Sequence, residues 1–192
     1  MGYTTTIQPA SEPVTLEQAK AQCRVDHADE DDLITALIKP ARELAEHRTG
    51  RALITQTCEW VLPCLDGDKI AFPVAPVQSI SSITYLDSNG VEQTLPTSVY
   101  ALDKTGNGKH YLRLKCGQSW PSVLSQFDAV KITFVAGYGD ADDVPAAVKQ
   151  WMLLVIAFWY KNKESATDGS VVTELPTTFC EGLLHTVKIW GL

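Results

Sequence analysis

The sequence has no excess of positive charge. Its 192 residues include 16 Lys and Arg against 23 Asp and Glu, which gives a formal net charge of -7 at pH 7. Proteins that grip DNA usually present a basic face, because neutralising phosphates supplies most of their affinity. The charge balance argues against such a protein, and we expect any DNA near this chain to pass by rather than to be held.

Long hydrophobic runs are missing as well. The longest apolar run, Trp151 to Tyr160, has ten residues, about half of what a helix needs to cross a bilayer. The first residues carry neither a basic cluster nor an apolar stretch, so we expect no secretory signal. A membrane partner is therefore not predicted.

Cysteine is sparse and odd in number. The five cysteines form no Cys-x-x-Cys pair, and no histidine stands at zinc-site spacing from them. We therefore expect reduced, mostly buried thiols in a cytosolic protein rather than a disulfide framework. These cysteines are Cys23, Cys58, Cys64, Cys116 and Cys180.

Motifs of known catalytic and metal sites are absent. The sequence has no Gly-x-Ser-x-Gly elbow, no Walker loop and no His-Glu-x-x-His. The acidic run from Asp26 to Asp32 lacks the glycine and the bidentate glutamate of an EF-hand, and carboxylates are favoured at a helix N-terminus in any case. Asp142 or Asp143 is expected to cap a later helix. We predict no catalytic residue, no metal and no cofactor, with a metal-dependent enzyme as an alternative.

Residues 14–50 show helical periodicity. Thr15, followed three residues later by Gln18, predicts a capping box at the start of a first helix. A second helix is expected to end at Gly50, since glycine most easily adopts the left-handed conformation. Pro40 lies inside that second helix and predicts either a kink or a junction between two helices.

From residue 51 the hydrophobic pattern changes to that of strands. Ser88-Asn89-Gly90 predicts a hairpin turn, because Asn-Gly accepts positive φ at little cost. So many short strands before residue 142 indicate a small antiparallel sandwich or barrel. The seven predicted strands are 52–62, 69–72, 77–86, 91–95, 99–102, 111–115 and 129–136.

Helical spacing returns after residue 143. A third helix, with Pro145 in its first turn, is apolar nearly all round, and such a helix is buried on every side. We expect part of its cover to come from the β domain or from another subunit. A last helix over residues 176–189 turns Leu183 and Leu184 inward.

These patterns together predict an α+β fold. A small helical core of about four helices, residues 14–50 and 143–192, is interrupted by an antiparallel β-sandwich or barrel-like insertion, residues 51–142. Residues 1–13 are expected to form an extended N-terminal tail. Hydrophobic residues at 45% and charged residues at 20% are ordinary values for a globular protein.

The order of several short motifs resembles that of a known family. The motifs are PVTLEQAK at 13–20, RVDH at 24–27, TGRALITQT at 49–57, VAGYG at 135–139, VPAAVKQ at 144–150, FWY at 158–160 and LP at 175–176. The chain resembles the phage head–tail connector proteins, the adaptor family of tailed bacteriophages, prophages and gene transfer agents. Pro40 and the Lys-Ile-Trp ending depart from the family pattern.

The resemblance implies a structural role in the neck of a virion, at the head–tail interface, after assembly in the bacterial host cytoplasm. Members form a homo-oligomeric ring, a dodecamer in the particle, beneath the portal protein. That ring extends the DNA channel and offers a docking surface to the head-closure (stopper) or tail-completion protein. DNA would be passing cargo, and the family transfers no catalytic residue.

Two sets of residues are candidates for contacts in such a ring. The subunit or portal interface set is Trp151, Val155, Phe158, Trp159, Leu183, Leu184 and Trp190. The inter-subunit or lumen charge set is Asp29, Glu30, Asp31, Asp32, Arg48 and Arg51. Exposed apolar patches mark interfaces, and an acidic lumen would repel DNA.

Two further functions stay open at this point. A tail-side head-closure or tail-completion protein would also be structural, but would bind the tail side and not the portal. A β-sandwich binding module for carbohydrate or peptide is the other, although the flanking helices argue against it.

Overall fold

The computed structural model of the chain describes residues 2–106, 108–162 and 177–189, with only the backbone for 177–180. The described residues form two compact units. One takes its residues from Met1–Ala10 and Thr55–Tyr138, and the other from Ser11–Ile54 and Gly139–Trp190. The chain therefore leaves the second unit after Ile54 and returns to it at Gly139. Each unit is described by itself below.

The second unit is helical. Its helices are α1 (Leu16–Cys23), α2 (Asp31–Thr49), α3 (Ala146–Lys161) and α4 (Thr177–His185), with a 3-10 turn at Ala141–Asp143 before α3. Helix α3 packs against the other three. Its apolar side chains join those of α2 in the core, which includes Ile34, Ile38, Ala41, Ala45, Val148, Trp151, Met152 and Val155.

Local chemistry explains where the first two helices begin and end. The predicted capping box is confirmed. The backbone N–H of Gln18 donates to Thr15 Oγ1 over 3.3 Å, and the backbone N–H of Thr15 donates to Gln18 Oε1 over 3.0 Å. Helix α2 ends as predicted at Gly50, which has φ 68°. Pro40 lies within α2 as one uninterrupted helix, so the alternative of two meeting helices is wrong.

The first unit is built of strands. They are β1 (Tyr3–Ile7), β2 (Gln56–Leu62), β3 (Lys69–Ala71), β4 (Val77–Leu86), β5 (Glu92–Thr94), β6 (Tyr100–Asp103), β7 (Tyr111–Leu114) and β8 (Val130–Ala136). A five-stranded sheet has the order β1-β2-β8-β4-β5, and a three-stranded sheet has the order β3-β7-β6. Every pair is antiparallel. The α+β prediction and all seven predicted strands are confirmed, as two open sheets and not a closed barrel.

Alternating burial explains how the β unit forms its core. Along β2 and β8 every second residue is buried, the pattern of a strand with one covered face. Phe72, which follows β3, lies 5.7 Å from the Trp60 ring centroid and 5.0 Å from that of Phe134. This residue therefore joins the short sheet to the long one through aromatic contacts.

The N-terminal residues join the long sheet. Residues expected as an extended tail form β1, which pairs with β2 from Tyr3 opposite Trp60 to Ile7 opposite Thr57. The tail is thus an edge strand, which the local sequence did not indicate because its partner lies far along the chain.

The hairpin predicted at Asn89-Gly90 joins β4 to β5, with Gly90 at φ 77°.

The predicted cap of α3 is wrong. Neither Asp142 nor Asp143 caps α3, since Pro145 precedes its first residue and makes no side-chain cap. Asp143 instead accepts a hydrogen bond of 3.0 Å from the Asp140 amide in the 3-10 turn. A side chain at Gly139, which has φ 146°, would collide with the Asp143 carboxylate. The turn and the glycine therefore form one local unit.

The expectation of mostly buried thiols is also wrong. Among the four cysteines whose side chains are described, Cys58 is buried and Cys23 is half-buried, while Cys64 and Cys116 are exposed. Both exposed thiols lie in loops that follow strands, where alternation no longer determines burial. In the described part of the chain, no helix combines the length and the apolar character that crossing a membrane requires.

Candidate functional site

The predicted apolar contact residues divide by burial. Trp151 and Val155 are 2% and 1% exposed, inside the helical unit. The Arg48 guanidinium lies over the Trp151 ring, 5.6 Å from its centroid. Side chains covered in this way belong to the core, so in this conformation they present no surface to a partner.

The ends of α3 and α4 carry the remaining members of that set. Phe158, Trp159 and Leu183 are half-buried, so each keeps part of its apolar surface at the solvent boundary. Leu184 is 3% exposed and faces the core. Trp190 lies outside the described residues.

The two arginines of the charge set connect the last helix to the end of α2. Arg48 Nη1 pairs with Glu181 Oε1 over 2.9 Å, and Arg51 Nε donates to the Val187 carbonyl over 2.7 Å. The Ile189 amide adds a hydrogen bond of 3.0 Å to the Thr49 carbonyl. Sequence analysis placed these arginines between subunits, but here they already have partners within the chain.

The four carboxylates of the charge set divide into two that have partners within the chain and two that face solvent. Asp31 pairs with Lys20 Nζ over 2.5 Å, and Glu30 accepts a hydrogen bond from the Tyr160 hydroxyl. That bond to Glu30 raises the pKa of Tyr160 to about 12, because a carboxylate acceptor favours the protonated phenol. Asp29 and Asp32 are exposed. Within the predicted charge set, these two carboxylates are the ones that face solvent, as long-range repulsion of DNA requires.

A buried ionic network in the same unit was not found from the sequence. Arg42 is 2% exposed; its Nε donates to Glu12 over 2.8 Å and its Nη1 to Glu46 over 2.9 Å. The other Glu46 oxygen accepts from the Leu53 amide over 2.9 Å. The Arg42–Glu46 spacing of four was a readable signal, whereas Glu12 and Leu53 reach the site only through the fold.

Burial raises the pKa of Glu46, while the Leu53 amide and Arg42 lower it. The raised value means that desolvation outweighs the favourable contacts of the ionised carboxylate. The network therefore connects the segment before α1, helix α2 and the chain that leaves α2. Removing its charged groups from water costs free energy. Its role is structural.

An exposed aromatic side chain in the β unit was also missed. Phe127, in the loop between β7 and β8, is 94% exposed. It lies at a groove of about 490 Å³ whose apolar lining includes Pro63, Val123 and Leu124. The only signal in the sequence was a phenylalanine between polar residues in a loop, a context that usually attracts no functional interpretation.

Metal binding has no support in the described geometry. Within residues 2–106, 108–162 and 177–189, no group of three or more His, Cys, Asp or Glu could hold a metal ion. Asp143 is a hydrogen-bond acceptor within its own turn.

Residues 13–101 match a family of known proteins, described as phage gp6-like head-tail connector protein. The matched segment runs from Pro13, three residues before α1, through α2 and β2 to Ala101 in β6. No curated protein sequence matches the chain at a significant level. The family resemblance predicted from the sequence motifs is confirmed.

Three solved structures share the fold over the whole chain. Chains from the neck of an empty GTA particle computed with C6 symmetry and from the virion of a native gene transfer agent (GTA) particle have TM-scores of 0.81 and 0.80. Each is 20% identical and is matched over 97% of its length by 100% of this chain. A chain from the neck of a native GTA particle computed with C12 symmetry has a TM-score of 0.72 and is 21% identical. The match covers 98% of that chain and 100% of this one. The common fold thus extends beyond residue 101.

Proposed function

We propose that this chain, which matches the phage gp6-like head–tail connector family over residues 13–101, is an adaptor subunit in the neck of a phage-like particle. The family match over residues 13–101 carries the proposal. The fold that the chain shares with proteins from gene transfer agent necks supports the same location. The subunit would act by association, and no step of its action requires a catalytic group.

The proposed assembly is a closed ring of identical subunits beneath the portal protein. Each subunit in such a ring presents two different faces to its neighbours, because head-to-tail contacts close by rotation. One similar neck was computed with C12 symmetry, and we propose twelve copies here. The ring would extend the DNA channel and offer a docking surface to the stopper or tail.

The half-buried apolar residues of α3 and α4 are the proposed contacts with the next subunit or the portal. We assign this role to Phe158, Trp159 and Leu183; Trp190, which lies outside the described residues, stays in the proposed set on the sequence alone. Side chains of this kind gain most when a partner removes their remaining surface from water. The buried members of the predicted set would support these contacts from within the core.

The outward carboxylates are the proposed charge of the channel wall. Asp29 and Asp32 are exposed, and the chain as a whole has a net charge of -7. A surface of this sign repels phosphates over about one Debye length, roughly 8–10 Å at physiological salt. DNA would then move through the ring without binding to it.

Electron microscopy of the purified protein mixed with its cognate portal tests the adaptor proposal. We expect an added ring on the narrow end of the portal, with the same rotational symmetry in ring and portal. Protein that adds no density to the portal, and is found instead on tails, would favour the tail-side completion role. Variants of Phe158 and Trp159 should weaken the ring if these residues lie at its contacts.

A further inference from the structure

The most exposed large apolar side chain among the described residues is Phe127. It is 94% exposed, compared with 63% for Ile7 and 53% for Val91. Single exposed apolar residues are common on protein surfaces, but an exposed aromatic beside an apolar groove is typical of an interaction site. Phe127 meets that second condition, because it forms part of the wall of the groove described above.

Two loops of the β unit form this groove. Pro63 and Cys64 come from the loop after β2, and residues 123–127 come from the loop before β8. The volume of about 490 Å³ is within the range of pockets that accept a ligand or a few side chains. Its lining is mostly apolar, with Ser125 and Gln126 as polar members, and it includes no lysine or arginine.

Hydrogen bonds anchor the loop that carries Phe127. The Leu124 amide donates to the Leu86 carbonyl at the end of β4 over 2.9 Å. Earlier in the same loop, Trp120 Nε1 donates to the Gly67 carbonyl over 2.7 Å. The groove is therefore formed before a partner arrives, which lowers the entropic cost of binding.

Negative charge stands on both sides of the groove. Asp66 accepts a hydrogen bond of 2.8 Å from Cys64 Sγ, which lines the groove, and Asp128 follows Phe127 directly. A hydrogen bond from Gln126 is the main cause that lowers the pKa of Asp128, so this carboxylate is ionised at neutral pH. Both aspartates are exposed. Lys131 lies near Asp128 but does not line the groove.

We propose that the Phe127 groove is a docking site for an apolar segment flanked by lysine or arginine on another protein of the neck. The inference rests on the proposed function, because a connector must bind components other than itself. Charge complementarity favours such a partner over a second copy: a second copy also carries -7. The other exposed large apolar residues of the described chain, Tyr3, Ile7, Leu33 and Val91, have no basic neighbour in sequence.

Binding of the purified portal, head-closure and tail-completion proteins of the same particle tests the proposal. We expect Phe127→Ala to weaken binding of one of them by at least about tenfold, the effect of removing a central interface aromatic. Val91→Ala is the matched control, since it removes an exposed apolar side chain from a different loop of the same unit. Asp66→Lys should also weaken binding and reduce its salt dependence, because it reverses one of the flanking charges.

The thiol of Cys64 supplies a second measurement. It is exposed and lines the groove, so the bound partner should slow its alkylation. Cys116→Ser removes the other exposed thiol among the four cysteines whose side chains are described. Equal binding by the Phe127→Ala and Val91→Ala variants, with unchanged alkylation, would overturn this inference and leave the adaptor proposal standing. Protection of Cys64 by self-assembly alone would replace the partner with a second copy, again against the inference. A wild-type chain that binds none of the three proteins would instead contradict the proposed function.

Discussion

Arg42 shows at the scale of one residue how a buried charge is tolerated. Its guanidinium contacts carboxylates from two segments, Glu12 and Glu46, and Glu46 also accepts from the Leu53 amide. A buried ion pair is not in itself a strong source of stability, but removing one partner leaves the others unpaired in a dry environment. The three segments are thus tied together by an arrangement that is costly to break.

Replacement of Arg42 by methionine should destabilise the protein by about 3 kcal/mol, because both glutamates lose their cation. The measurement is the free energy of unfolding in urea, and Lys39→Met is the control. Lys39 is exposed and lies 3.8 Å from Glu43, so its loss should cost about 0.5 kcal/mol or less. Equal effects of the two changes would contradict a structural role for the network.

Replacement of Glu46 by glutamine should change how stability depends on pH. Burial raises the folded pKa of Glu46 above its usual 4.5, so the native state binds more protons than the unfolded state between the two values. The stability contributed by this proton is present below the unfolded pKa and lost as pH rises through the folded pKa. The free energy of unfolding of wild type minus that of the variant should therefore fall as pH rises above the usual pKa of 4.5 and level off once pH exceeds the folded pKa. Urea titrations over this range measure it, and a rising difference would show that the pKa is lowered.

At the scale of an element, helices α1 and α2 end in the same left-handed backbone conformation but on different residues. Both end on a left-handed residue, Gly50 with φ 68° and Arg24 with φ 60°. Glycine adopts this conformation without a Cβ clash, whereas other L-residues pay about 1–2 kcal/mol. Helix α1 therefore ends with a strain that α2 avoids.

Arg24→Gly should raise the free energy of unfolding by about 0.5–1 kcal/mol, because it relieves this strain at some cost in chain entropy. Arg24→Ala keeps the Cβ and is the matched control, since it removes only the charged side chain. Thermal and urea unfolding of both variants separate the two effects. If alanine stabilises as much as glycine, the backbone conformation at residue 24 is not the cause.

At the scale of the whole molecule, the outward carboxylates before and within the start of α2 bear on the proposed channel. Asp29→Lys with Asp32→Lys should slow DNA exit from assembled particles, since the wall would then attract phosphates. Asn at both positions is the control, because it removes charge without adding attraction. Lysines at a helix N-terminus also cost about 0.3–1 kcal/mol each, so folding is checked first. Ejection kinetics identical in all three proteins would contradict an effect of these positions on DNA passage.

Chemistry between near neighbours was enough to predict much of this protein. The Thr15–Gln18 capping box, the stop at Gly50, the Asn89-Gly90 turn and the seven strands depend on contacts or periodicities that span only a few residues. The family resemblance uses the same information, as it consists of short motifs in a given order. The helical and β segments and the resemblance to the connector family follow from the sequence for this reason.

Long-range packing determined the rest. The N-terminal residues become a strand only because β2, with Trp60 opposite Tyr3, offers them an edge. Arg48 and Arg51 contact Glu181 of α4 and the Val187 carbonyl that follows it. Phe127 stays exposed, although Leu124 and Trp120 of the same loop are hydrogen-bonded to other segments. Such outcomes depend on which distant segments meet, and local periodicity carries no information about that. The burial of each candidate contact residue was therefore decided by the tertiary structure.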